Sequence, residues 1–304
     1  MPADAGGPIV DGPVVDGPAL DAGLIAGFYD RHARDLPWRG PEATPWAVLV
    51  SEFMLQQTPV TRVLPVYREW LARWPAPADL AAEPTGAAIR AWGRLGYPRR
   101  ALRLHAAAVA ITAGFGGQVP SSVQDLLRLP GVGEYTARAV AAFAFGARVP
   151  VVDTNVRRVL SRVVRGVDEP RASATAADRS EMATYLPADP RTAARFSVAV
   201  MELGALVCTA TNPGCARCPL AGRCRWRRDG AVPGVAKRPV QAWHGTDRQV
   251  RGRIMARLRA SDGPVHSGGV ADAGEPEQVR RCVRSLIGDG LIEPVADGLL
   301  RLPG

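Results

Sequence analysis

Four cysteines sit in one short segment with the spacing Cys208-x6-Cys215-x2-Cys218-x5-Cys224. Zinc sites usually pair two C-x2-4-C knuckles across a longer stretch. Here only Cys215 and Cys218 form a close pair, and all four thiols come from one tight loop, which suits a [4Fe–4S] cube. A zinc knuckle or a set of free thiols is the alternative. Such a loop cannot bury a core of its own, so a cluster would hold it in shape and present Arg217, Arg223, Arg225, Arg227 and Arg228 on a rigid platform. The fifth cysteine, Cys282, lies on an apolar helix face and reads as a small core residue.

Two carboxylates have contrasting neighbours. Glu52 lies in the run Trp46 to Gln57, where Val48, Leu49 and Leu55 share its helical face. Desolvation there favours the protonated acid. Asp153 follows the apolar run Val149 to Val152 and directly precedes a helix containing Asn155 to Val164. As an N-cap it would meet backbone N–H groups and the positive end of the helix dipole, which lowers its pKa. An acid and an anion held apart in this way can share one reaction. A salt-bridged Glu52 and a plain helix cap at Asp153 are the alternatives. Between two helices lies Leu129-Pro130-Gly131-Val132-Gly133. Its glycines permit a turn whose backbone N–H groups, with the N-terminus of the helix Glu134 to Phe145, can hold a DNA phosphate without reading sequence. An ordinary helix–helix turn would look similar.

The elements that position these residues are helical. The 304 residues are 47% hydrophobic and 22% charged, which suits two folded domains and excludes wholesale disorder. The net charge of +9 points to a polyanionic partner, with a basic surface kept for solubility as the alternative. All basic residues except Lys237 are arginines. Apolar residues recur at helical spacing from about Asp21 to Leu206, with breaks at Leu36–Pro41, Trp74–Pro77, Glu83–Pro84, Gly114–Pro120, Leu129–Gly133 and Val149–Pro150. The main domain is therefore expected to be all-α. Residues 1–20 read as a disordered tail and 225–243 as a basic linker. Residues 244–304 read as two helices followed by short strands at Gly290–Pro294 and Gly298–Leu302, a small winged-helix-like domain. No apolar run reaches 18 residues and no signal peptide is evident, so a cytoplasmic (nucleoid-associated) protein is expected.

Residues 24 to 224 resemble the helix-hairpin-helix DNA glycosylases that carry an iron–sulfur cluster, and among them the MutY-type adenine glycosylases. The resemblance is carried by Leu36–Arg39, Ser51–Thr58, Leu95–Tyr97, Leu129–Thr136, Val152–Val156, Met201–Gly204 and the four cysteines. The hairpin, the aspartate and the cluster are shared with endonuclease III relatives. The resemblance implies a two-lobed glycosylase domain over 21–224, with a helical barrel lobe at about 40–148 and a cluster lobe joining 21–39 to 149–224. It implies a monomer that acts on double-stranded DNA and removes adenine mispaired with 8-oxoguanine or guanine after flipping it from the stack. Adenine leaves readily once N7 is protonated, the task implied for Glu52. Ionised Asp153 would stabilise the oxocarbenium-like sugar, with Tyr135 beside it. Arg39, Trp38, Leu55 and Glu202 would line the base pocket. Gln57 would enter the duplex, Tyr97 would lie at the wedge, and Gly131, Val132 and Gly133 would grip phosphate. Bifunctional relatives use a lysine where Tyr135 stands, so no strand nicking is expected. Two departures are Pro98, which follows Tyr97 where many relatives carry a second tyrosine, and the short C-terminal domain in place of a Nudix-like one. The competing expectations are a thymine/uracil mismatch glycosylase on the same fold and a non-catalytic iron–sulfur DNA-binding protein.

Overall fold

The computed structural model describes residues 18–168, 173–231 and 243–304. Most of the expected N-terminal tail and the middle of the expected linker, including Lys237, lie outside the described residues. Two compact units emerge, one from Met1–Gly40 and Arg138–Lys237, the other from Pro41–Ala137 and Arg238–Gly304. The division falls within the helix Glu134–Phe145.

In the second unit the helix Pro45–Leu55 is buried along nearly its whole length, from Trp46 to Met54. Thr44 starts it by accepting from the Ala47 N–H at 3.1 Å, with Pro45 in the first turn where no donor is needed. A helix apolar on every side belongs at the centre of its unit. Helices Val60–Arg73, Thr85–Trp92 and Arg99–Gly114 belong to the same unit. Trp70 anchors the core, with its ring edge-on to Trp74 at 4.7 Å and to Trp92 at 5.7 Å.

The C-terminal residues belong to this unit. Helices Asp247–Ala260 and Pro276–Gly288 pack with a three-stranded antiparallel sheet in which Leu299–Arg301 lies between Val265–His266 and Glu293–Pro294. The pairs are Val265 with Leu300 and Glu293 with Arg301. The strand at Val265–His266 has only two residues, too few to show period-two alternation, and the sequence gives no sign of it. Cys282 is buried among these elements, as expected of a core residue.

The first unit packs helices Ala22–His32, Thr154–Val159 and Pro190–Leu206 around Ile25, Phe28, Val156, Leu160, Phe196 and Leu203. Beyond Val159 the helix widens into π geometry over Leu160–Arg165. Ala176–Tyr185 starts with a reciprocal cap between Thr175 and Asp178. Among the described residues no helix is long and apolar enough to cross a membrane.

Candidate active site

Glu52 is only 5% exposed, on the central helix between Ser51 and Phe53. The helix stops at Leu55, and the chain turns sharply at exposed Gln57, whose φ is +57°. Tyr97 is also exposed at a positive φ, +48°. Left-handed backbone is costly for residues with side chains, so two such positions must be held by their surroundings. Arg100 holds them. Its buried guanidinium donates to the Phe53 and Met54 carbonyls at 2.9 Å each, to Thr58 Oγ1 at 2.9 Å and to the Gly96 carbonyl at 3.1 Å. One side chain thus satisfies the open end of the Glu52 helix and ties the residues after Gln57 and before Tyr97 to it. Burial lowers the Arg100 pKa to about 10, still cationic at neutral pH.

The hairpin also meets the Glu52 helix. Gly131 has φ +81°, and a Cβ there would stand 2.6 Å from Arg103 Cβ and 3.0 Å from the Phe53 ring. Only glycine lets the hairpin come this close. The Val132 N–H closes the turn onto the Leu129 carbonyl at 3.1 Å, and Val132 itself is buried. Gly133 has open space where a Cβ would be. Tyr135 is half-buried in the first turn of the helix Glu134–Phe145.

In the first unit, Glu202 is completely buried and accepts four hydrogen bonds. Three come from the Arg34 backbone N–H and guanidinium at 2.7–2.9 Å, and one from Arg39 Nη2 at 2.9 Å. Burial by itself would raise this carboxyl, but the two guanidinium groups outweigh it and hold it at about 2. Arg39 Nη1 is buried with no hydrogen-bond partner among the described residues. Trp38 is buried beside it in the turn Pro37–Arg39.

Asp153 caps its helix as the sequence suggests, with Oδ1 accepting from the Val156 N–H at 2.7 Å and Oδ2 from Asn155 Nδ2 at 2.8 Å. The expected fall in its pKa does not follow. Desolvation outweighs these bonds and nearby Arg158, and raises the carboxyl above its ordinary value. Gly204 shapes this corner, since a Cβ on it would lie 2.8 Å from both Cβ and the carbonyl oxygen of Asn155. Arg158 bridges the same corner, donating to Asn155 Oδ1 at 2.8 Å and to the Gly204 carbonyl at 2.7 Å.

The structure overturns the iron–sulfur expectation. Among the described residues no group of three or more histidine, cysteine, aspartate or glutamate side chains could hold a metal ion. Cys208, Cys215, Cys218 and Cys224 are free thiols. Core packing and arginine hydrogen bonds hold this loop. Val207, Cys208 and Leu220 join the core of the first unit, with Cys218 and Cys224 packed against it. Arginines tie down its backbone, Arg162 to the Thr209 carbonyl at 2.7 Å and Arg217 to that of Leu206 at 2.9 Å. The Cys224 thiol donates to the Arg162 carbonyl at 3.6 Å. Burial pushes the Cys218 thiol up to about 12 and raises Cys215 and Cys224.

Similarity to known proteins decides the family. The chain is 51% identical to an adenine DNA glycosylase of Mycolicibacterium smegmatis, over 92% of this chain and 95% of that protein. It is 49% identical to one of Mycobacterium tuberculosis, over 92% of each. The chain belongs to the adenine DNA glycosylases. Residues 50–183 match the family described as HhH-GPD superfamily base excision DNA repair protein. This adenine DNA glycosylase family member also shows 37% identity, over 63% of its length, to a thymine-DNA glycosylase of Aeropyrum pernix. A solved thermostable thymine-DNA glycosylase superposes with a TM-score of 0.62 at 26% identity, covering 68% of this chain and 95% of that one. An endonuclease III–DNA complex superposes at 0.60 and 23% identity, over 69% and 95%, which supports the all-α HhH-GPD fold.

Two residues of this family member escaped the sequence reading. Arg34 and Arg100 lie in a chain with 38 basic residues, where one more arginine carries no signal. Only burial and hydrogen bonding separate them from the rest. Their one sequence clue is position, four residues before Trp38 and three after Tyr97.

Proposed function

We propose that this chain is a monofunctional adenine DNA glycosylase that hydrolyses the N-glycosidic bond of adenine mispaired with 8-oxoguanine or guanine in double-stranded DNA, working as a monomer in base excision repair. The single observation that carries this reading is the near-complete match to adenine DNA glycosylases by a chain that buries Glu52 on its central helix. Glu52 delivers a proton to N7 of the flipped adenine, turning the base into a better leaving group. The spare Arg39 Nη1 offers a donor to an acceptor on the base, with Glu202 fixing the guanidinium and Trp38 and Leu55 supplying apolar surface. Asp153, desolvated and oriented by hydrogen bonds from the Val156 N–H and Asn155, stabilises the positive charge that develops on the sugar, directly or through a brief covalent adduct. Tyr135 orients this carboxylate chemistry. Water completes the reaction at C1′ and leaves an abasic site.

Gln57 and Tyr97 enter the distorted duplex, a role that their strained backbone supports. Gly131, Val132 and Gly133 form the phosphate grip, with the amides of the two glycines facing the backbone and that of Val132 closing the turn. Lys237 is the only lysine in the chain, and the position that would form a Schiff base carries Tyr135, so the strand is not nicked. The glycosylase domain extends over 21–224, and the last sixty residues form a winged-helix-like unit.

Single-turnover base release from A·8-oxoG, A·G and T·G duplexes, assayed with and without alkali, tests this. Adenine release from the first two, with strand scission only after alkali, is the expected result. Processing of T·G alone would move the chain to the thymine glycosylase reading that the 37% relative keeps open. An active Glu52→Gln variant would remove the acid from the mechanism.

A further inference from the structure

Tyr97 is 49% exposed and Trp243 is 46% exposed, two of the most open large rings on the molecule. They are not scattered. The Arg248 guanidinium lies 5.5 Å from the Tyr97 ring centroid and 5.2 Å from that of Trp243, and the Arg100 guanidinium lies 5.5 Å from Tyr97. The result is an alternating ladder, Trp243–Arg248–Tyr97–Arg100, all within one compact unit. Its inner end is fixed by the buried hydrogen bonds of Arg100. Its outer end is fixed by a turn in which Thr246 Oγ1 donates to the Trp243 carbonyl at 2.8 Å, just ahead of the helix that carries Arg248.

The other arginines of that helix have partners. Arg251 pairs with Asp289, Arg253 donates to the Ala273 carbonyl, Arg257 pairs with Asp272, and Arg259 donates to the Gly93 carbonyl. Among the described residues Arg248 forms no ion pair and meets only rings. A phosphate contact needs a guanidinium edge and gains nothing from two half-exposed aromatic rings. An unstacked nucleobase uses both, since base–aromatic and base–guanidinium stacking are the usual means of holding one. We infer that Trp243, Arg248 and Tyr97 form a stacking platform for a base left unpaired in the bound duplex. By this inference the C-terminal unit engages DNA by stacking on bases, and its arginines are not a phosphate patch. It rests on the proposed function only for the identity of the polymer.

Fluorescence anisotropy with the full chain tests this. One duplex carries a tetrahydrofuran abasic analogue opposite guanine, which leaves that guanine unpaired, and the control duplex is fully matched. Trp243→Ala and Arg248→Ala are expected to weaken binding to the first duplex about tenfold and to the second less than twofold. Arg248→Lys keeps the charge but loses the planar stack and should behave like Arg248→Ala, whereas Trp243→Phe should retain most of the affinity. Wild-type binding to both duplexes by the alanine variants would overturn the platform. So would equal losses on both duplexes, rescued by lysine, with a salt slope lowered by about one, because that is the signature of a phosphate contact. Adenine release by the wild-type chain is measured in parallel. Its failure would remove the proposed reaction and leave this binding comparison standing.

Discussion

Asp153 and Glu202 are both enclosed carboxylates, yet their surroundings drive them in opposite directions. Glu202 has two guanidinium partners and is held at about 2, so its contribution to stability is complete above the ordinary value of 4.5 and fades as pH falls toward about 2. Glu202→Gln should cost about 3 kcal/mol at neutral pH, the lower end for a broken buried pair because the Arg34 side chain is 35% exposed. Urea denaturation at several pH values checks this, and the gap from wild type should shrink below pH 4.5 and close near 2. Asp153 has a raised pKa, so its charged form is the disfavoured one and the penalty grows as pH rises through the folded value. Asp153→Asn keeps the cap to Val156, because asparagine accepts the same bond. At neutral pH this variant should melt no lower than wild type, while adenine release falls about a hundredfold or more. A variant that lost both stability and activity would mean that Asp153 serves mainly as a cap. The sequence shows the cap but not its electrostatic outcome, because a helix N-terminus advertises its dipole and cannot advertise how little water reaches it.

The hairpin separates two jobs that share a motif. Gly131 combines a left-handed backbone with a blocked Cβ, so Gly131→Ala should cost about 2–4 kcal/mol and disturb Phe53 on the Glu52 helix. Gly133 has room, so Gly133→Ala should fold within about 0.5 kcal/mol of wild type and lose DNA affinity as its methyl group shields the amide from phosphate. Thermal melts beside anisotropy titrations on a matched duplex distinguish the two. At this scale much was legible. The helix from Glu134 to Phe145 follows from its glycine-rich entry and apolar repeat, and the breaks at prolines fall between helices. What stayed hidden depends on distant contacts. The two-residue strand at Val265 exists because Leu300 pairs with it, and the clamp of Arg100 exists because Phe53 and Met54 end a helix beside it. The cysteine spacing misled for the same reason. It describes a segment on its own, whereas the segment packs into a core built largely by helix Pro190–Leu206 and its neighbours.

On the scale of the whole chain, the C-terminal residues are tied into the unit that carries Glu52. The Gly86 N–H donates to the Pro303 carbonyl at 2.7 Å, and Arg90 donates to the Ser261 carbonyl at 2.7 Å. Arg259 returns a bond to the Gly93 carbonyl, and Asp289 is shared by Arg99 at 3.4 Å and Arg251 at 2.5 Å. These links flank the Gly93–Tyr97 turn on both sides, so the segment that presents Tyr97 is braced by residues far along the chain. Two consequences follow from contacts of this kind. Residues 247–302 and 85–114 should exchange their amide hydrogens with a common global protection, as one cooperative block. Asp289→Ala should lower the melting temperature by about 2 °C, the effect of about 1 kcal/mol on a chain of this length when Arg99 is largely exposed. If residues 247–302 opened on their own at low denaturant while 85–114 stayed protected, the C-terminal unit would be an appendage, and Tyr97 would be held by Arg100 alone. The variant's exchange pattern decides where the lost stability resides. Loosening that reaches the Gly93–Tyr97 turn from a carboxylate at position 289 is what a brace requires, because an appendage would confine it to its own helices.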